Sequence, residues 1–251
     1  MIAAIAALVL ATEPSRAATA DTVTLRGHSQ LVRLFGTPGA GAPVIVSSGD
    51  GGWIHLGPQV AEALAARGYF VIGFDTRAYL ESFTSRASTL RPEDVAADYR
   101  ELVRYAARGS PTRPLLVGVS EGAGLSVLAA ADDVTKSLIS GVVAIGLPDR
   151  NELGWRWKDA WIYVTHGVPN EPTFSSAAFV GRVSPLPLAV IHSTRDEFVP
   201  AAQIQSMMDR AADPKRLWMI EAADHRFSNN LVELNRRLLQ AIDWVMSRRP
   251  T

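Results

Sequence analysis

Three side chains in this chain have the types that acyl-transfer chemistry needs, and each stands just past a short apolar run. Ser120 sits in Gly118-Val119-Ser120-Glu121-Gly122, a G-x-S-x-G that follows Leu115-Leu116-Val117. Asp196 follows the run Leu188 to His192, and His225 follows Leu217 to Ile220. A serine hydroxyl is a weak nucleophile until an imidazole takes its proton. The imidazole in turn needs a carboxylate to fix its tautomer and to stabilise the imidazolium. Asp196 competes for that last role with Glu197 and Asp224, but Asp224 is the immediate neighbour of His225 and is badly placed to orient that ring. Among the other histidines, His28 falls in an N-terminal turn, His55 near a glycine loop, His166 in an irregular stretch and His192 inside a strand. His55 could reach a pocket, but only His225 leaves the last strand.

The elements around these residues read as alternating strands and helices. An apolar β-branched run, a tight glycine turn and the apolar stretch from Ala123 to Ala130 give the strand–turn–helix context that a G-x-S-x-G requires. Asp21–Leu25 and Gln30–Phe35 suggest an N-terminal hairpin, and Val44–Val46, Tyr69–Phe74, Leu115–Val117, Ile139–Ile145, Leu188–His192 and Leu217–Ile220 suggest buried strands. Helices are expected over Pro58–Arg67, Pro92 to about Arg108, Ala201–Ala211 and Leu231–Met246. The Asp75–Leu80 stretch is read only as a segment leaving its strand. This order predicts an α/β fold, a mostly parallel central sheet with helices on both faces and its ligand site beyond the carboxyl ends of the strands.

The rhythm breaks at 149–185, read as a small aromatic-rich insertion. Trp155, Trp157, Trp161 and Tyr163 share a period of two, which puts the four rings on one face of an extended segment or hairpin. Two readings stand side by side: a lid or pocket wall that binds substrate together with Trp53, or an edge hairpin that packs its rings on the core.

Composition excludes several classes. With 251 residues and 47% hydrophobic content, one substantial core is expected over 21–251. Twenty-five basic and 25 acidic residues cancel, and no basic run occurs, so nucleic acid is not an expected partner. There is no cysteine for thiol chemistry or metal ligation, no H-E-x-x-H spacing and no G-x-G-x-x-G, so neither metal nor cofactor is expected. Ile2–Ala11 is apolar and Ala18-Thr19-Ala20 resembles a cleavage site, so residues 1–20 read as a signal peptide of an exported protein, although no Lys or Arg precedes the run. The alternative is an N-terminal helix packed on the domain.

Across roughly 22–247 the chain resembles the α/β-hydrolase superfamily, in the G-x-S-x-G, in Asp196 within Thr194-Arg195-Asp196-Glu197-Phe198-Val199-Pro200, in His225 before Arg226-Phe227, and in the order Ser, Asp, His. In that fold one oxyanion amide comes from the residue after the serine, here Glu121. The other comes from a loop after an earlier strand, here Asp50 or Gly51 in Ser48-Gly49-Asp50-Gly51-Gly52-Trp53. More narrowly, that loop, Gly73-Phe74-Asp75 to Tyr79, and Ala96-Ala97-Asp98-Tyr99 resemble the VirJ/AcvB group of bacterial hydrolases. The resemblance implies a periplasmic location, association with virulence and type IV secretion, and an ester substrate at a membrane surface, such as an aminoacylated phosphatidylglycerol. Glu121 departs from the group, which is expected to carry Phe or Gln there. The expectation is a serine hydrolase of a small-molecule or lipid ester; a peptidase of the same fold and a docking protein for a secretion partner are the alternatives.

Overall fold

The computed structural model of the protein describes residues 18–157 and 171–248. The proposed signal peptide, its cleavage-site alternatives, and Trp161, Tyr163 and His166 therefore lie outside the described residues, apart from Ala18, Thr19 and Ala20. Thr19 and Ala20 already belong to the first strand.

Eight strands among the described residues form one sheet, in the order β1-β2-β4-β3-β5-β6-β9-β10. β1 (Thr19–Leu25) and β2 (His28–Phe35) make the expected N-terminal hairpin, and β2 pairs antiparallel with β4 (Phe70–Phe74). From there the sheet is parallel, through β3 (Pro43–Ser47), β5 (Leu115–Val119), β6 (Val142–Ile145), β9 (Leu188–Ser193) and β10 (Lys215–Ile220). Strands buried on both faces need apolar side chains at every position, which is why β3, β4 and β5 read as continuous apolar runs rather than alternations.

Each face has its own core. Ile45, Ile72, Leu116, Val142 and Val190 look one way, onto α3 (Pro92–Ala106), α4 (Glu121–Ala130) and α6 (Ala201–Arg210). Val44, Val46, Val117, Val143 and Ala189 look the other way, onto α1 (Leu56–Ala65) and α7 (Leu231–Arg248). α4 is buried around its whole circumference, as an apolar helix under the middle of a sheet must be. α3 starts as its sequence prescribes: Pro92 takes the first turn and the Asp94 carboxylate accepts the Arg91 N–H at 2.9 Å.

Two helices are additional to the sequence reading. α5 (Asp133–Leu138) is short and follows α4 directly. α2 (Thr76–Phe83) occupies the stretch read only as chain leaving a strand. Its signal was Asp75, whose Oδ1 accepts the Ala78 N–H at 3.1 Å in a helix N-cap. The other oxygen of the same carboxylate accepts the Trp53 N–H at 3.2 Å, which ties the glycine loop after β3 to α2. The described residues of the insertion hold a short antiparallel pair, β7 (Arg150–Glu152) with β8 (Thr173–Ser175), and two 3₁₀ turns after β8.

Because Asp75 holds both the α2 cap and the glycine loop, Asp75→Ala should cost about 1–2 kcal/mol. Urea unfolding followed by tryptophan fluorescence measures it, and an unchanged midpoint would show that neither bond contributes.

Candidate active site

Ser120 stands at the carboxyl end of β5, between a strand and the first turn of α4. Its backbone is left-handed, φ 51° and ψ −121°, which costs an L-residue of order 1–3 kcal/mol unless the surroundings impose it. They do so from three sides. The Ser120 N–H reaches Ile145 O of β6 at 2.8 Å, and Ser120 O receives the Ala123 N–H at 2.8 Å. Gly122 lies so close to β3 that a Cβ there would meet Ser47 O and Ser48 O at 2.5 and 2.4 Å.

The acid and the base arrive on loops after β9 and β10. His225 Nδ1 and Asp196 Oδ2 are 2.6 Å apart and both residues are buried. The other Asp196 oxygen accepts the N–H groups of Phe198 (3.0 Å) and Val199 (2.8 Å). Burial works to raise the Asp196 carboxyl, but the His225 hydrogen bond and charge, the Val199 amide and His192 together hold it below its ordinary 3.8. The competitors for its role are placed elsewhere: Glu197 Oε2 accepts the His225 backbone N–H at 2.7 Å, and Asp224 Oδ1 accepts the Ser228 N–H at 2.9 Å. His192 sits behind the turn, its Nε2 2.9 Å from Val199 O. Burial lowers its pKa, more than the Val199 bond and the Asp196 charge raise it, so the neutral ring donates to that carbonyl.

The His225 ring lies over Gly146, at the end of β6, where a Cβ would come within 2.7 Å of Cε1. Phe198 covers it edge-on at 5.5 Å. Ser120 and His225 face one cavity of about 380 Å³ and are not hydrogen-bonded to each other in it, a separation common in unliganded sites.

Asp50, Gly51 and Glu121, the residues named for their amides, also line this cavity. Gly49 approaches the serine so closely that a Cβ there would be 3.3 Å from Ser120 Cβ. The Glu121 side chain does not reach outward as an exposed carboxylate. It is buried, and desolvation first, then the charges of Asp50 and Glu152, push its pKa well above the usual carboxylate range. The hydrogen bond from the Glu152 N–H opposes that shift without reversing it.

The aromatic expectations need correction. None of Trp53, Trp155 and Trp157 lines the cavity. Trp53 lies flat on the sheet, where Gly73 leaves room for its ring, and packs near Phe35 and Arg33. Trp155 is buried in the core while Trp157 is 76% exposed, so a single extended face does not describe them. The two rings meet edge to face at 5.7 Å with the Arg77 guanidinium over both. The sequence reading missed Phe198, Glu152, Arg150, Arg226 and Gly146. Of these, only Gly146 carried a signal, as a glycine closing an apolar strand. His55, weighed and set aside as a base, does line the cavity and shares the serine's unusual backbone, φ 53° and ψ −116°. Among the described residues no group of His, Asp and Glu could hold a metal ion, and no helix is long and apolar enough to cross a membrane.

A lowered Asp196 pKa adds stability that is complete above 3.8 and is lost as pH falls through the folded value. The stability gap between wild type and Asp196→Asn should therefore narrow as pH falls from about 4 through the lower folded value in urea titrations. A constant gap would show that the carboxylate gains nothing from its surroundings.

The chain is 26% identical over 210 residues to the uncharacterized protein YfhR of Escherichia coli K12, covering 82% of this chain and 70% of that protein. Its fold superposes on Est1E from Butyrivibrio proteoclasticus with TM-score 0.66 at 15% identity, over 91% of this chain and 99% of the other. A membrane phospholipase A described as a bacterial virulence factor gives 0.66 at 12% identity, over 91% and 86%. The fold is thus that of the α/β-hydrolases. Residues 42–245 match the family model described as bacterial virulence protein (VirJ), so the chain belongs to the VirJ family.

Proposed function

We propose that the protein is a serine hydrolase of carboxylic esters, with Ser120 as nucleophile, His225 as general base and acid, and Asp196 as the carboxylate that orients it. The observation that carries this reading is His225, paired through Nδ1 with the buried Asp196, facing the same cavity as a serine in a left-handed elbow. In the forward step Ser120 Oγ would attack the ester carbonyl carbon while His225 takes the hydroxyl proton. The negative charge on the carbonyl oxygen would meet the amides of Glu121 and of Asp50 or Gly51, together with the N-terminal end of α4. His225 then returns its proton to the departing alcohol, leaving an acyl-serine. Water, deprotonated by the same ring, hydrolyses that intermediate.

For the acyl group, an aminoacyl ester fits best. Asp50 and Glu152 line the cavity beside Ser120 and offer carboxylates to a substrate ammonium, whatever else they contact. Glu121 does not add to that field, because its neutral form is the favoured one. The resemblance of its motifs to the VirJ/AcvB group implies the same substrate class, and the esterase and phospholipase of like fold support ester chemistry in general.

Ser120→Ala should remain folded, lose fluorophosphonate labelling and lose ester turnover. Asp196→Asn should retain the label site and lower kcat by about 10⁴. A folded Ser120→Ala that still hydrolyses esters would remove Ser120 from the mechanism. Between acyl groups of matched size, an aminoacyl ester should exceed a neutral one in kcat/KM by about tenfold, ~1.4 kcal/mol. Equal values would remove the aminoacyl preference and leave the general esterase reading intact.

A further inference from the structure

The Glu121 side chain is buried in the first turn of α4, and its Oε1 accepts a 2.5 Å hydrogen bond from the backbone N–H of Glu152, 31 residues along the chain. Glu152 is the last residue of β7, which with β8 forms the root of the insertion. One carboxyl thus joins two parts that must be in register over Ser120: the peptide that bears an oxyanion donor and the root of a segment bordering the cavity. Space alone would be filled at lower cost by Leu or Phe, since burying an acid carries a desolvation penalty that a hydrocarbon does not. The site retains an acid and gives it a single directed bond.

We infer that Glu121 is a positioning residue for acyl transfer at Ser120, its carboxyl clamping β7 to the start of α4 and so aiming the Glu121 N–H at the reacting carbonyl oxygen. This rests on the reading of Ser120 as the nucleophile. Three titratable groups from other elements act on Glu121 or are acted on by it: Asp50 from the loop after β3, Glu152 from β7, and Tyr99 from α3. His55, Asp149, Arg150, His225 and Arg226 also line the cavity. Burial, Asp50 and Glu152 favour the uncharged form of Glu121, while the Glu152 N–H bond favours the ionised one, so the clamp does not depend on the proton. In stability, the cost of the buried acid begins as pH passes 4.5, where the unfolded chain ionises first.

The test compares wild type, E121Q and E121A as full chains, with p-nitrophenyl acetate for turnover and a fluorophosphonate for labelling. E121A should lower kcat by about tenfold or more, as expected for a misaimed oxyanion donor, with KM within about twofold. Its labelling of Ser120 should slow by a similar factor. Gln keeps an acceptor for the Glu152 N–H, so E121Q should recover most of what E121A loses. Wild-type kcat and labelling in E121A would overturn the inference, and so would an E121Q no better than E121A. If E121A fails to fold, E121M, which fills the space without accepting the Glu152 N–H, takes its place against E121Q. A wild-type chain that takes no label defeats the Ser120 reading, and this inference with it, whereas a labelled wild type with an unaffected E121A defeats only the clamp.

Discussion

The backbone of Ser120 is the constraint on which the rest depends. A residue at φ 51° and ψ −121° is held only where neighbouring peptides leave it no alternative. Here the neighbours are the two central parallel strands beside β5. β6 binds the Ser120 N–H through Ile145 O, and β3 presses its last carbonyls against Gly122. The strain is thus carried by the stiffest part of the molecule, where both faces of the sheet are buried. A left-handed serine at a mobile edge would relax and withdraw its hydroxyl.

Around that fixed point the remaining groups are supported indirectly. Asp196 is wrapped by the Phe198 and Val199 amides, Val199 is held by His192, and Glu197 holds the backbone of His225. The loops after β9 and β10, with His192 of β9, therefore share one small network of charge-assisted and neutral hydrogen bonds. Such bonds strengthen where water is excluded, and an unpaired member is correspondingly costly. On the other side, Asp75 performs the equivalent service for the glycine loop, with one carboxylate oxygen for Trp53 and one for Ala78.

Much of this was legible in the sequence because it was local. The runs Val44–Val46 and Leu115–Val117 are apolar at every position, the elbow announces itself by glycine spacing, Ser120 directly follows β5, and Asp196 and His225 lie in the loops after β9 and β10. What was not legible depends on distant partners. Nothing near Glu121 signals that its carboxyl meets an amide 31 residues later, nor that it is buried. The period of two at Trp155 and Trp157 is real in the sequence but is not realised as a strand, because β7 ends at Glu152 and the chain then turns inward. Trp155 goes to the core, where Arg77 can stack on it. α2 was missed for a different reason: Asp75 looks like a loop residue until its role as a helix cap is recognised.

The crowding at the elbow separates two messages that the motif carries together. Gly118 faces Gly122 O at 2.3 Å, Gly122 faces β3 carbonyls, and Gly124 faces the Asn151 amide at 1.7 Å, all measured from where a Cβ would stand. These glycines answer to main-chain packing and would be required whatever the chemistry. A descendant that had exchanged its hydroxyl for a docking role would keep them, because losing them would cost the fold. The glycines are fixed by close packing, and acyl-transfer chemistry would depend on the hydroxyl, the imidazole and the carboxylate alone.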